Sequence, residues 1–387
     1  MYVIDIICKL FTMPSLFRNL KAWFMAALFF FAFVSAHAES GVTATEILIG
    51  QSAALTGPAS ELGQQMQSGA QAYFKSVNTQ GGVYGRRIRM VTLDDGYEPD
   101  RAAANTRQLI EKDKVFALFG YVGTPTSNAA MPLFTAAKVP FFAPLTGAES
   151  MRRPVNRNIF NVRTSYIAET QAIIDHLSTA KNIAVLYQND AYGQAGLLGV
   201  RQALAKMQLQ PAAVATVERN STDVAKAVEA LALVKPQAVV IISAYTSAAA
   251  FIKEMKKKSP ATAFWNVSFV GSRSLSDELG EAGRGVGISQ VVPFPWDRSS
   301  ELTEQHYKSL GEGMSFTTLE GYLAARVFVE GLRRAGKELT REGLISALET
   351  AGRIDVGGFS VQYSPDNREG SSRVELTLIS TGGRFIR

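Results

Sequence analysis

The stretch from Glu46 to Arg101, EILIGQSAALTGPASELGQQMQSGAQAYFKSVNTQGGVYGRRIRMVTLDDGYEPDR, constrains the fold more than any other part of the chain. Ile47, Leu48 and Ile49 form an apolar strand ending on Gly50, and Leu55-Thr56-Gly57-Pro58 breaks it. Apolar residues then return at helical spacing at Leu62, Met66, Ala70, Tyr73, Phe74 and Val77, and Gly81-Gly82 stops that helix. Residues 88–93 alternate into a second strand that finishes at Asp94-Asp95. Strand, helix and strand in this order make one βαβ crossover of a parallel sheet, and the loops leaving the carboxyl ends of such strands are where small ligands bind.

The alternation continues. Strands are expected over 115–119 and 139–142, with a helix over 127–137 between them. It restarts with a helix over 166–177, a strand over 183–187, a helix after Tyr192 and a strand near 213–217. Helices over 222–233 and 246–258 flank a strand over 238–242, and 267–270 reads as a further strand. After 288–292 the chain runs through Pro293-Phe294-Pro295-Trp296, whose prolines stiffen a connection, into amphipathic helices over 301–310 and 316–335.

Residues 1–38 read as a separate object. Lys21 precedes an apolar run over 22–34, and Ala36-His37-Ala38 supplies a small-x-small cleavage pattern, which is a secretory signal peptide rather than an anchor. Met13 offers a second start, with a more ordinary signal length than Met1. Cys8, the one cysteine of the sequence, lies before the apolar run, so cleavage leaves a chain without disulfides for an oxidising compartment. The full sequence carries a net +6, and loss of Lys9, Arg18, Lys21 and Asp5 leaves 37 basic against 33 acidic residues. The densest basic cluster, Lys253 with Lys256, Lys257 and Lys258, suits a solvated helix end rather than a nucleic-acid face.

Beyond residue 38 the histidines are His176 and His306, each in a predicted helix, and no H-E-x-x-H or G-x-S-x-G spacing occurs. Gly331, Gly336 and Lys337 imitate part of a phosphate loop, but Glu338 replaces its hydroxyl residue and a helix precedes it. Gly283, Gly285 and Gly287 lack the third glycine of a dinucleotide fingerprint and read as a turn. No enzyme, cofactor or metal is therefore expected. The chemistry-bearing group is a set of strand-end loops. Gly120-Tyr121-Val122-Gly123-Thr124-Pro125-Thr126 follows one strand and Pro144-Leu145-Thr146-Gly147 the next, so hydroxyls and helix N-terminal amides can meet one carboxylate, although the same threonines would equally serve as helix caps. Tyr192, Tyr245 and Arg273 follow strands of the second half.

In these residues the chain resembles the type I periplasmic binding proteins, in particular the leucine/isoleucine/valine-binding family of ABC-transporter substrate-binding proteins. The family's opening pattern is met at Gly57-Pro58, Asn78, Gly81-Gly82, Gly85 and Asp94-Asp95. The resemblance implies an α/β fold of two discontinuous Rossmann-like lobes with parallel sheets, joined by a three-strand hinge near 160–163, at the proline-rich connection and near 354–358. It places residues 39–163 plus 291–354 in one lobe and 164–290 plus 355–387 in the other. It further implies a periplasmic monomer, an amino-acid or related small-carboxylate ligand between the lobes, and an inner-membrane permease as partner; the same fold also serves as a sensor that reports to a receptor or regulator.

By the same resemblance Thr124 stands where the family uses a serine for the ligand carboxylate. Val122 and Gly123 lead into it, Leu145, Thr146 and Gly147 form the second carboxylate loop, Tyr192 and Tyr245 match lid tyrosines, and Leu62 leaves room for a bulky apolar group. Arg273 departs from the pattern, because amino-acid binders carry a glutamate there for the ammonium. An arginine repels an ammonium and attracts a carboxylate. Either another acid such as Glu320 pairs the ammonium, or the ligand is an aromatic or aliphatic acid without one. With no cysteine after residue 38, the thermal midpoint of residues 39–387 is expected to be the same with and without a reductant.

Overall fold

The apolar strands that the sequence marks assemble into two open sheets, seen in a computed structural model that describes residues 39–387. The signal segment over residues 1–38, with Cys8, Met1 and Met13, lies outside the described residues. The first sheet is built from β1 (Glu46–Ala53), β2 (Arg87–Asp94), β3 (Ala117–Phe119), β4 (Phe141–Phe142) and β5 (Ile159–Phe160), in the order β2-β1-β3-β4-β5 with every pairing parallel. Its crossovers are α1 (Ser60–Thr79), α2 (Pro99–Arg107) and α3 (Thr124–Ala136).

The second sheet contains β6 (Ile183–Gln188), β7 (Val214–Val217), β8 (Ala238–Ile242), β9 (Ala263–Asn266) and β10 (Gly287–Gln290), with helices α4 (Tyr166–His176), α5 (Ala191–Lys206), α6 (Ala225–Leu233), α7 (Tyr245–Lys258) and α8 (Ser272–Leu279). These strands are parallel, but the chain end adds an antiparallel edge to β10, so this sheet is mixed where a parallel one was expected. Three further helices, α9 (Glu301–Leu310), α10 (Phe316–Ala335) and α11 (Arg341–Thr350), precede a small antiparallel sheet of β11 (Arg353–Asp355), β12 (Ser360–Ser364) and β13 (Asn367–Gly370). The antiparallel edge itself is β14 (Glu375–Ile379) and β15 (Phe385–Ile386).

In both sheets the strand order reverses beside the first strand of the unit, between β1 and β3 and between β6 and β8. Loops leaving the carboxyl ends at such a reversal diverge and leave a crevice.

Helix α10 completes the first lobe although some 200 residues of sequence separate it from β3. Phe328 lies edge-on to Phe119 at 5.8 Å and to Phe142 at 5.1 Å, closing the aromatic core over that sheet. The α1 and α10 backbones touch, because a Cβ on Gly69 would fall 1.9 Å from the Thr318 carbonyl and one on Gly321 would fall 2.2 Å from that of Met66. The small sheet is seated on the same lobe. The Tyr363 hydroxyl donates to the Asn161 carbonyl at 2.8 Å, Tyr363 stacks edge-on to Phe160, and Asn161 donates to the Arg368 carbonyl. This holds residues up to Gly370 against the end of β5.

Two local readings are corrected. The strand expected over 267–270 is a short helical turn, Ser268–Val270, and the strand lies earlier at Ala263–Asn266. Phe269 and Val270 are apolar because they are buried in the molecule's interior, not because they join the sheet. Helix α3 begins at Thr124 instead of 127, with Pro125 in the first turn, where a missing amide costs nothing. Gly69→Val is expected to lower unfolding stability by about 1–3 kcal/mol or more, read as a reduced urea midpoint, because the clashing neighbour is helix backbone that cannot step aside.

Candidate functional site

The loops after β3 and β4 run side by side. Val122 and Leu145 form an isolated parallel bridge, with the Gly123 amide donating to the Leu145 carbonyl at 3.2 Å and the Leu145 amide to that of Tyr121 at 2.7 Å. This pairing brings the Thr124 and Thr146 hydroxyls to 2.7 Å from one another, both buried. Gly123 has φ +100°, and a Cβ there would meet Tyr97 at 2.2 Å, so both backbone and space call for glycine. Thr124 opens α3, whose first turn carries no acidic residue, so the positive end of the helix dipole faces this point without competition. The Ser127 hydroxyl one turn on is buried without a partner.

Facing these loops is a chain of aromatic side chains. Tyr97 packs against Phe269 at 5.9 Å, Phe269 against Tyr192 at 4.6 Å, and Tyr192 against Tyr166 at 5.3 Å. Tyr166 returns to the second threonine loop, where a Cβ on Gly147 would fall 2.7 Å from its ring. Tyr97 comes from the first lobe, while Tyr166, Tyr192 and Phe269 come from elements of the second. Its backbone is left-handed at φ 65°, held by a bond from its amide to the Asp95 carboxylate at 2.8 Å. Burial pushes the Tyr166 phenol up to about 12, against the pull of Arg163, and pushes Tyr97 and Tyr192 well above the usual phenol range. All three are neutral hydroxyls at physiological pH; that of Tyr192 is buried without a partner, and that of Tyr166 lies within reach of the Thr146 hydroxyl and the Gly147 backbone.

Behind Tyr166 lies a buried charge cluster. Arg163, at the end of the first crossing between lobes, has Glu320 of α10 at 3.3 Å, Glu169 of α4 at 3.7 Å, and donates to the Ser268 hydroxyl. Glu169 also accepts from the Ser268 amide at 2.8 Å and the Ser289 hydroxyl at 2.6 Å. Burial raises the Glu320 carboxyl to about 7, helped by repulsion from Glu169 and opposed by Arg163. Burial disfavours the Arg163 charge, but the two glutamates more than offset it and its affinity for the proton rises.

The structure thus brings Val122, Gly123, Thr124, Leu145, Thr146, Gly147 and Tyr192 to one place. Leu62 and Tyr245 form a second contact between lobes. A Cβ on Gly271 would lie 2.7 Å from Leu62 and 3.6 Å from Tyr245, and the Tyr245 hydroxyl accepts from the Glu61 amide at 3.4 Å. Arg273 stands apart. Its half-exposed guanidinium donates to the carbonyls of Glu312 at 2.7 Å and Met314 at 3.3 Å, with Asp277 at 3.7 Å. The sequence reading set Arg273 against the ligand; here β9 ends at Asn266, Ser268 and Phe269 occupy the strand-end position, and Arg273 follows on α8.

Tyr97, Arg163, Tyr166, Glu169 and Phe269 are the residues the sequence reading missed. Tyr97 had a usable signal in its place directly after the strand end at Asp94-Asp95. His306 is buried against Thr318 at 3.0 Å, with burial lowering it to about 4, and His176 packs at a tilt against Trp265. The phosphate-loop lookalike is the end of α10, with Gly336 at φ +86°. Among the described residues no three His, Cys, Asp or Glu side chains are placed to hold a metal ion, and no helix is long and apolar enough to cross a membrane.

A family profile described as periplasmic binding protein matches residues 46–384. The structure of a possible leucine/isoleucine/valine-binding protein from Rhodopirellula baltica is 30% identical and superposes with a TM-score of 0.82 over 91% of this chain and 98% of that one. A substrate-binding periplasmic protein from Ralstonia solanacearum is 30% identical, with a TM-score of 0.83 over 88% of this chain and 99% of that one. An amino acid binding protein from Pseudomonas aeruginosa is 23% identical over 248 residues, 62% of this chain, and the match spans 64% of that relative's length.

Glu320 gives a pH test. Its folded-state value of about 7 lies above the ordinary 4.5, so its contribution to stability is complete below about 4.5 and is lost as pH rises through about 7. Glu320→Gln is therefore expected to match the ligand-free parent near pH 4.5 and to exceed it by roughly 3 kcal/mol near pH 8, measured by urea unfolding at both pH values. His306 works in the opposite sense, its contribution being lost as pH falls through about 4; it is common to both proteins and cancels in the difference.

Proposed function

Because the chain belongs to the periplasmic binding protein family, type I and of the leucine/isoleucine/valine-binding kind, we propose that it is the solute-capturing component of an ABC importer. Its ligand is an amino acid of the branched-chain class or a related small carboxylate, taken up where the two lobes meet. The observation that carries this reading is the Thr124–Thr146 hydroxyl pair, 2.7 Å apart at the head of α3, enclosed by neutral tyrosines from both lobes.

A carboxylate at the threonine pair accepts from hydroxyls and from helix N-terminal amides without needing a cation. Such charge-assisted bonds are about twice as strong as neutral ones. Tyr166 and Tyr192 bring two further hydroxyls from the second lobe. The ligand therefore bridges the lobes and favours their closed arrangement by its differential contacts with it. Direct lobe-to-lobe bonds support the same arrangement, among them Arg219 to Glu98 at 2.9 Å and Asn220 to the Gly96 carbonyl at 3.1 Å.

Export through the segment over 1–38, action as a monomer, capture without turnover and docking of the closed form on an inner-membrane permease complete the proposal. The family's members are binding proteins, and the site combines hydroxyls and phenols rather than a nucleophile beside a base.

The test is a titration of residues 39–387, which form one compact unit, with amino acids and amine-free acids by calorimetry. Loss of one hydrogen bond to a charged group costs about 1.5–3 kcal/mol. Thr124→Val and Thr146→Val are each expected to weaken carboxylate binding about 10- to 100-fold and to lower the melting temperature without ligand by a few degrees, because each leaves the other buried hydroxyl unpaired. Unchanged affinity in both variants places the carboxylate elsewhere.

A further inference from the structure

Where α8, the proline-rich connection and the chain end meet, a cavity of about 440 Å³ opens at the rim of the molecule. Its volume lies within the roughly 300–1,000 Å³ typical of small-molecule pockets, which combine apolar walls with a few placed polar groups. Phe294 and Trp296 of the connection and Phe385 of β15 supply the walls. Trp296 and Phe385 stack at 5.5 Å with 18° between their planes, and Phe294 meets Trp296 edge-on at 5.2 Å. Phe316, which opens α10, packs edge-on against all three and holds them together. The three wall rings are nevertheless only partly buried, and their uncovered surface lines the cavity.

The charges around these rings do not balance. Arg273 and Arg384 bring two guanidiniums and Asp277 one carboxylate. Asp277 stands 3.7 Å from Arg273, but the two side chains are 71% and 44% exposed, so the pair is weak. The other partners of Arg273, the Glu312 and Met314 carbonyls, fix its position without neutralising it. Nearby Arg387 is matched by Asp297 at 3.0 Å, whereas Arg384 forms no ion pair among the described residues. One positive charge is in surplus beside flat apolar surface. A cation is repelled there, a neutral molecule gains nothing from the surplus, and a single carboxylate offsets it in a geometry that guanidinium favours. The walls select a flat ring, which aromatic faces accept by offset or edge-on contact.

We propose that this cavity is a second binding site, for a small aromatic monocarboxylate whose ring lies against Trp296 and Phe385 and whose carboxylate is taken by Arg384 with Arg273. None of its lining residues belongs to the group gathered around Thr124 and Thr146. The attraction of Arg273 for a carboxylate is thereby directed to this cavity and not to the threonine loops.

The experiment titrates residues 39–387 with 4-fluorobenzoate and with the uncharged 4-fluorobenzamide, followed by fluorine NMR and by tryptophan emission. Beyond residue 38 the tryptophans are Trp265, which is buried, and Trp296, so Trp296 reports on the cavity. The acid is expected to bind at least about 10-fold more tightly than the amide. Arg384→Gln is expected to weaken the acid about 10-fold, the usual loss of a hydrogen bond to a charged group, and to leave the amide unchanged. Arg384→Lys is expected to keep part of the preference. Trp296→Phe is expected to abolish the emission change while NMR still reports binding, and the same acid affinity is expected when Thr124→Val and Thr146→Val are combined.

No response to the acid up to millimolar concentration overturns the proposal, as does equal affinity for acid and amide or a preference that survives Arg384→Gln. Acid binding that disappears in the double threonine variant belongs to the threonine site and overturns it as well. A shift of Trp296 emission on dilution, with no probe present, shows the aromatic face covered by a second copy of the chain and overturns the small-molecule reading. None of these results bears on the titration that tests the threonine pair.

Discussion

Arg163 is the residue on which the arrangement of the lobes depends. It stands where the chain first leaves the five-stranded sheet, and its guanidinium reaches α10 of the first lobe through Glu320 and α4 of the second through Glu169. A buried ion pair is a weak source of net stability, since desolvation consumes much of the Coulomb gain, but its geometry is demanding. Removing the guanidinium would leave two carboxylates facing each other without solvent. The cluster therefore fixes how the first crossing, α4 and α10 meet, and the strand-end loops inherit their relative positions from it.

Around that anchor the site combines two kinds of neutral donor. The threonine pair depends on the Val122–Leu145 bridge, and through it on the register of β3 with β4. The aromatic chain depends on packing across the lobes, with Phe269 set between Tyr97 and Tyr192. Burial keeps the phenols protonated, so they remain donors throughout the physiological range.

Much of the architecture was legible in the sequence. The βαβ unit at 46–94, most of the alternation from β3 to β10 and the helices α9 and α10 follow from periodicity and from glycine and proline breaks, which are local properties. The threonine loops were legible for the same reason, as each follows a strand directly. The weaker patterns were not: α2, α8, α11 and the strands after 353 are short or rich in charged residues, and their boundaries depend on what they pack against. Residues 267–270 show the limit in one place, because burial of Phe269 and Val270 in the interior and burial in a sheet leave the same apolar run.

The sequence by itself determined the two α/β units, the hydroxyl-rich strand ends and the absence of cysteine after residue 38, since each is carried by neighbouring residues. Only the tertiary structure decided which side chains share the site. Tyr97 meets Phe269, Arg163 meets Glu320, and Arg273 is turned out to the rim because the preceding strand ends at Asn266. These pairs are more than 100 residues apart in the chain, and no local pattern encodes a contact that exists only when two sheets and the helix between them have been packed.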